Sequence, residues 1–403
     1  MTDRLRRGQT RAVGDSIAML PWLLGFVAFL GAYAWVRRDW VWIVGDDSNL
    51  LMPAINIGRG LVPNLDFVNG YPGLTFYVQR AIMLVVGETP IAEHVYTAIM
   101  AGAFGLTAAW MLRRLYPPAL VWLLVFFVWT VTHRLNPTPN PGYLMETLAL
   151  GSMYWMDRFG TSRRLRDALV AGGIAGLALL FKQPAVFLPV VFLLATSYAC
   201  LAWPDRVLPT RLRGLVIGAN AVILVGFVWT YLGVSVFGVL GEGDTRRSLL
   251  LSTVVFVGPW VAAVAGLAVL PRRIQGEDGA GWSIGEGVRA NAVFIFGFAL
   301  VAAIGLAAMY GSPTRIAEVL RLAFVVGPQE INATQSKVLQ PLLLWPTVAI
   351  ALLVTLAPFA IAAVRSVAVR ALIFGAACVG CCYTALTYSD LQFTVAGTLI
   401  VVA

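Results

Sequence analysis

The sequence predicts an all-α fold, a polytopic transmembrane helical bundle of about 11–12 spans whose long first external loop carries short interfacial helices. Three observations predict it. Hydrophobic residues make up 59% of the 403 positions, where soluble domains sit near ~45–50%. Apolar runs of span length recur along the whole chain, separated by short polar segments. The basic residues fall unevenly on the two sides that alternation of those runs creates.

The first run, 16–36, follows the arginine-rich start MTDRLRRGQTR. It resembles a signal peptide, with Ala32-Tyr33-Ala34 as a cleavage pattern, but roughly 20 apolar residues exceed the 7–15 of a leader core. It reads as an uncleaved span with a cytoplasmic N-terminus. Later spans are expected at 91–112, 118–132, 143–157, 168–181, 184–202, 214–237, 249–270, 290–310, 339–364 and 369–388. A last run, 391–403, has no polar anchor, as in a truncated chain or a partial span.

Alternation from a cytoplasmic N-terminus leaves 18 of the 29 basic residues inside and 11 outside. The inner clusters include Arg113/Arg114, the 158–166 group and the 206–213 group. In so apolar a chain, the formal charge of +9 reports orientation and does not point to nucleic acid. Cys200, Cys378, Cys381 and Cys382 lie in apolar runs, so the Cys378-x-x-Cys381 spacing reads as small-residue packing. Gly172-x-x-x-Gly176 reads as a helix-packing face.

Leu74–Gly87 is apolar but only about 14 residues, too short for a ~20-residue crossing. Counting it as a span would put Arg163, Arg164 and Arg166 outside, so it reads as a helix in the outer interface. The first external loop is therefore 37–90, followed by 133–142 and a late loop at 311–338. Ordered loops of such length are commonly functional.

Within the first loop, Asp46 and Asp47 precede SNLLMPAINIGRG, which can form a short helix. Ser48 or Asn49 would cap it, Gly58 or Gly60 would end it, and Pro53 would be tolerated near the first turn. Adjacent carboxylates repel and raise one another's proton affinity, which suits a proton acceptor or a metal ligand. A plain capping role for Asp47 is the alternative.

Asp46-Asp47, Gly60-Leu61-Val62-Pro63, Asp66-Phe67 and Gly70-Tyr71-Pro72-Gly73 together resemble the first external loop of GT-C glycosyltransferases. These are multi-spanning enzymes that use polyprenyl-phosphate sugars, among them protein mannosyltransferases and lipid A aminoarabinose transferases. The acidic pair here is Asp-Asp where many relatives have Asp-Glu, and Tyr-Pro-Gly stands where Gly-Pro-Leu is frequent. Ala171–Leu194 is similar to the family's Gly-rich helix ending in a lysine. Beyond about residue 200 the resemblance is topological only.

The resemblance implies an inverting transfer of a sugar from a polyprenyl-phosphate donor to a glycan, lipid or protein acceptor of the cell envelope. The transfer would take place on the periplasmic or exterior face of a bacterial inner membrane. In such a transfer the acceptor hydroxyl needs a base, for which Asp46 and Asp47 are the candidates. The phosphate leaves without a general acid but needs a cation, for which Lys182 is the candidate. Ala168–Ala202 is about 35 residues, too long for one crossing, and Pro184 interrupts it. Read as a hairpin, its first arm of about 14 residues spans roughly 21 Å and leaves Lys182 below the outer surface. Snorkelling to the interface is the alternative role.

Gln183 and Tyr71 join the candidate binding residues by adjacency. Asp66 either ties down the Gly-Tyr-Pro-Gly turn or touches substrate. Arg80 either binds phosphate or anchors its helix, and His133 either hydrogen-bonds within its loop or serves as a ligand. Some relatives use a divalent cation and others do not. The second loop carries Asn and Pro where many have an acid, and Glu146 is the nearest carboxylate. Tyr310–Lys337 contains an amphipathic helix with Arg315 and Arg321 that either gates a lipid entrance or rests on the membrane. Two other readings compete: a secondary transporter, which should show internal repeats and broken helices, and a non-catalytic lipid-carrier binding protein.

Overall fold

The computed structural model describes residues 20–36, 47–67, 69–112, 118–119, 121–123, 125, 142–202, 208–236, 249–250, 253–254, 257, 261 and 282–326. These are mostly helical, and among the described residues no strand forms. The helices are α1 (Leu20–Val36), α2 (Asp47–Gly58), α3 (Leu74–Val86), α4 (Ile91–Leu112) and α5 (Gly142–Ser162). They continue with α6 (Leu165–Phe181), α7 (Phe187–Ala202), α8 (Thr210–Phe227), α9 (Ile284–Tyr310) and α10 (Pro313–Arg321). Three described stretches are long and apolar enough to cross a membrane: Gln183–Leu201, Thr210–Tyr231 and Ile284–Tyr310. The runs expected at 339–364 and 369–388, and the terminal 391–403, lie outside the described residues.

The described residues of Met1–Leu61 and Leu74–Leu150 make one compact unit, and those of Val62–Gly73 and Gly151–Val402 make a second. In the first unit, Phe26 and Leu30 of α1 pack with Ala98, Ala109 and Trp122. Gly102 and Gly105 of α4 leave the space that these two α1 side chains occupy. Ala54, Met83 and Ala92 join α2, α3 and α4 in a smaller apolar cluster.

Two expectations about α2 need correction. The helix begins at Asp47, so Ser48 and Asn49 lie inside it and are not caps. Pro53 is the seventh helical residue, in the second turn, where its missing N–H leaves the Asn49 carbonyl without its i+4 donor. Gly58 is the last helical residue, and Gly60 takes the left-handed φ of +83° that turns the chain.

In the second unit the apolar run 168–202 breaks as its length requires. α6 ends at Phe181, Lys182 is extended (φ −153°, ψ 140°), a 3₁₀ turn covers Gln183–Val186, and α7 follows. Contacts with α9 fix the directions of the two arms. Gly172 and Gly176 of α6 face the backbone of Phe294 and Phe298, so α6 and α9 run parallel. On α7, Phe192 stacks on Phe294 (4.5 Å), Thr196 accepts from Asn291 (2.6 Å), and Cys200 donates to the Ser283 carbonyl (3.4 Å). That order is reversed, so α7 is antiparallel to α9 and the run is a helical hairpin.

α5 runs antiparallel to α6, with the Ser152 hydroxyl donating to the Ala171 carbonyl (2.9 Å) at its middle and Ser162 meeting Asp167 at its end. This unit thus has two ends. Arg163, Trp282 and Cys200 mark one; Lys182, Tyr310 and the Val62–Gly73 loop mark the other.

α9 starts six residues before the span expected at 290–310. The Ser283 hydroxyl accepts from the Glu286 N–H (3.2 Å) while the Glu286 carboxylate accepts from the Ser283 N–H (3.0 Å). This capping box satisfies helix-end donors that would otherwise delay the start. α8 likewise begins earlier than expected, at Thr210, and passes into a π-helix, Val228–Val236.

A Cβ at Gly172 or Gly176 would collide with backbone carbonyl groups of α9. Gly172→Ala and Gly176→Ala should each lower stability by about 1–3 kcal/mol, the cost of overpacking. Gly218→Ala on α8, with nothing within 4 Å of the added methyl, should be neutral or slightly stabilising. Thermal unfolding of the detergent-solubilised chain measures all three.

Candidate functional site

The expected site residues fall in both units. In the first, Asp47 opens α2 but its side chain is outside the described residues, as are the whole of Asp46 and His133. Arg80 of α3 pairs with Glu88, and its guanidinium lies over Gly58 of α2, where a Cβ would clash. Its described contacts thus lock α2 to α3. One turn away, the Thr75 and Tyr96 hydroxyls share a buried 2.7 Å hydrogen bond between α3 and α4. Glu146 is buried just past the first turn of α5.

In the second unit the loop Val62–Gly73 is built around Asn64, a residue the sequence reading passed over. Asn64 is 2% exposed and has a left-handed φ of 61°, which asparagine tolerates better than most residues. Its N–H donates to the Phe67 carbonyl (2.8 Å) and its Oδ1 accepts from the Asn69 N–H (3.0 Å). Its Nδ2 donates to the Tyr71 carbonyl (2.6 Å). Asp66 accepts from the Val62 N–H (2.7 Å), so its carboxylate closes the turn that follows Gly60.

That second turn is held from outside the loop. The Gln183 side-chain amide donates both its hydrogens, one to the Gly70 carbonyl and one to the Ala323 carbonyl (2.8 Å). The Tyr310 hydroxyl donates to the Pro72 carbonyl (2.6 Å), and Gly73, at φ +115°, leaves the space that hydroxyl fills. Side chains at the hairpin tip and the end of α9 therefore hold Gly70 and Pro72, on either side of Tyr71. Ala323 belongs to the π-helix Leu322–Val326 that follows α10.

Lys182 sits at the centre of this end, in the extended residue between α6 and the 3₁₀ turn. It is 9% exposed, and its carbonyl accepts from the Ala185 N–H (3.3 Å). At the start of α7, Phe187 meets Phe227 and Tyr231 edge-on at 5.2 and 5.1 Å.

α10 starts with Ser312 accepting from the Arg315 N–H (3.4 Å) and Pro313 at its first position. Arg321 grips Glu318 with two bonds (3.0 and 2.7 Å) and holds that carboxyl below the usual range. Among the described residues no group of three His, Cys, Asp or Glu side chains could hold a metal ion. Comparison with protein-family models, curated proteins and solved structures finds no match for this chain.

Gln183→Leu removes two donors and leaves the Gly70 and Ala323 carbonyl groups without them, a loss of about 2–3 kcal/mol. Amide hydrogen exchange should rise in both 69–76 and 320–326. Gln183→Glu places an acceptor against two acceptors and should accelerate exchange further. Tyr310→Phe should loosen 69–76 alone.

Proposed function

We propose that the chain is a polytopic inner-membrane glycosyltransferase of the GT-C kind, taking a sugar from a polyprenyl-phosphate donor on the external face. The acceptor is a glycan, lipid or protein of the envelope. The observation that carries this reading is the hydrogen bond from Gln183, next to Lys182, to Gly70 of the Gly-Tyr-Pro-Gly turn. Two motifs that resemble the family, more than a hundred positions apart in the chain, form one corner of one folded unit. The hairpin adds support, because it separates the Lys182 end from the arginine end, as the alternation of spans requires.

In this reading Asp46 or Asp47 takes the proton of the acceptor hydroxyl as its oxygen attacks the anomeric carbon. The bond from that carbon to the phosphate oxygen breaks, and its electron pair stays on the phosphate. Lys182 meets the negative charge that develops there. Burial strengthens that attraction relative to water. Tyr71, on the fixed turn, lines the approach of the sugar, and the aromatic group around Phe187 accepts the first isoprene units of the carrier.

The test uses the full chain reconstituted in liposomes with a panel of radiolabelled polyprenyl-phosphate hexoses and pentoses. Asp46→Asn or Asp47→Asn, whichever removes the base, should lower the transfer rate by roughly 10²–10⁴. Lys182→Met should lower it by roughly 10²–10³. Wild-type rates in both aspartate variants would remove the catalytic role of the pair.

A further inference from the structure

At the opposite end of the second unit, α5 passes into α6 through only Arg163 and Arg164. Arg163 takes a left-handed φ of 57°, and its guanidinium lies 4.3 Å from the Trp282 ring centre and 3.8 Å from Glu286. That side chain therefore faces α9 and is neutralised there.

Arg158 and Arg166 share a different carboxylate. Asp167 is fully buried beneath the corner and accepts from Ser162. The nearest nitrogens of Arg158 and Arg166 stand 3.7 and 3.6 Å away, beyond hydrogen-bonding range. One carboxylate thus stands at ion-pair distance from two guanidinium groups, which leaves the trio with a net positive charge. Their side chains are 41% and 62% exposed. Arg164 is exposed, and its side chain has no partner among the described residues.

The surface beside these arginines is apolar. Leu165, Leu169 and Val170 of α6 are 41%, 38% and 38% exposed, and the last two follow Arg166 at i+3 and i+4 on the same face. Trp155, under the Arg158 guanidinium at 4.8 Å, adds an aromatic ring of the kind enriched at membrane interfaces. A free anion would use the arginines and leave the apolar strip bare. A phospholipid uses both.

We infer that the α5–α6 corner binds an anionic phospholipid, with its phosphate on Arg164 and Arg166 beside Arg158, and its acyl chains along Leu165, Leu169 and Val170. Planar guanidinium groups suit the phosphate geometry, and a corner on the inner face would meet the anionic headgroups there. The inference stands on the membrane reading and is independent of sugar transfer.

Native mass spectrometry of the full chain measures it, with phosphatidylglycerol, phosphatidylcholine and inorganic phosphate as separate probes. Wild type should retain phosphatidylglycerol in preference to phosphatidylcholine. Arg164→Gln should weaken that binding about fivefold and Arg164→Gln/Arg166→Gln about 25-fold, near the effect of one surface arginine each. Arg211→Gln, an exposed charge on α8, should leave binding unchanged. Equal retention of the two lipids, unchanged affinity in the double variant, or an equal loss in Arg211→Gln would overturn the inference. Displacement of phosphatidylglycerol by millimolar inorganic phosphate would identify a free-anion site and overturn the lipid assignment.

Discussion

The second unit depends on one interruption. An apolar run too long to cross a membrane once must turn, and it turns where Lys182 leaves helical geometry ahead of Pro184. Proline there has no N–H to continue α6, and its ring is accommodated in the first turn of the 3₁₀ helix that follows the extended Lys182. The turn places a lysine and a glutamine among apolar neighbours, where polar groups need partners. Gln183 finds them in two carbonyl groups from distant parts of the chain, Gly70 in the loop and Ala323 in the π-helix. The constraint that breaks the helix therefore also assembles the corner.

The hairpin is held by close packing on α9. With no side chains at Gly172 and Gly176, α6 can approach the α9 backbone directly. In an apolar medium such contact replaces the hydrophobic drive that water would supply. Polar pairs fix the remaining helices: Ser197 donates to the Asn220 side-chain oxygen Oδ1 (2.7 Å) between α7 and α8, and Asn291 donates to Thr196 between α9 and α7. These bonds are specific in register, so they set which turn of each helix faces which.

Much of this was legible in the sequence where a length rule applied. The 22 residues of α4 match the expected 91–112, and the short run after Gly73 forms a 13-residue helix. The break at Pro184 followed from the excess length of one run. The start of α9 was also legible but missed, since Ser283-x-x-Glu286 is a capping signature placed within a glycine-rich stretch. The anchors of the loop were harder to see. Asn64 sits in a Pro-Asn turn that marks a bend without naming its partners. Nothing local to Tyr310 reveals a bond to Pro72, 238 positions away. Local periodicity reports which face is buried, whereas such pairings exist only after the chain has folded.

A hairpin that turns at Lys182 inside a membrane must put the Lys182 end and the arginine end on opposite faces. Single cysteines at Arg164 and Thr314, introduced into a cysteine-free chain in sealed vesicles of known orientation, test it with a membrane-impermeant maleimide. Thr314→Cys should react from the external side and Arg164→Cys only from the cytoplasmic side. Labelling of both from one side would contradict the account.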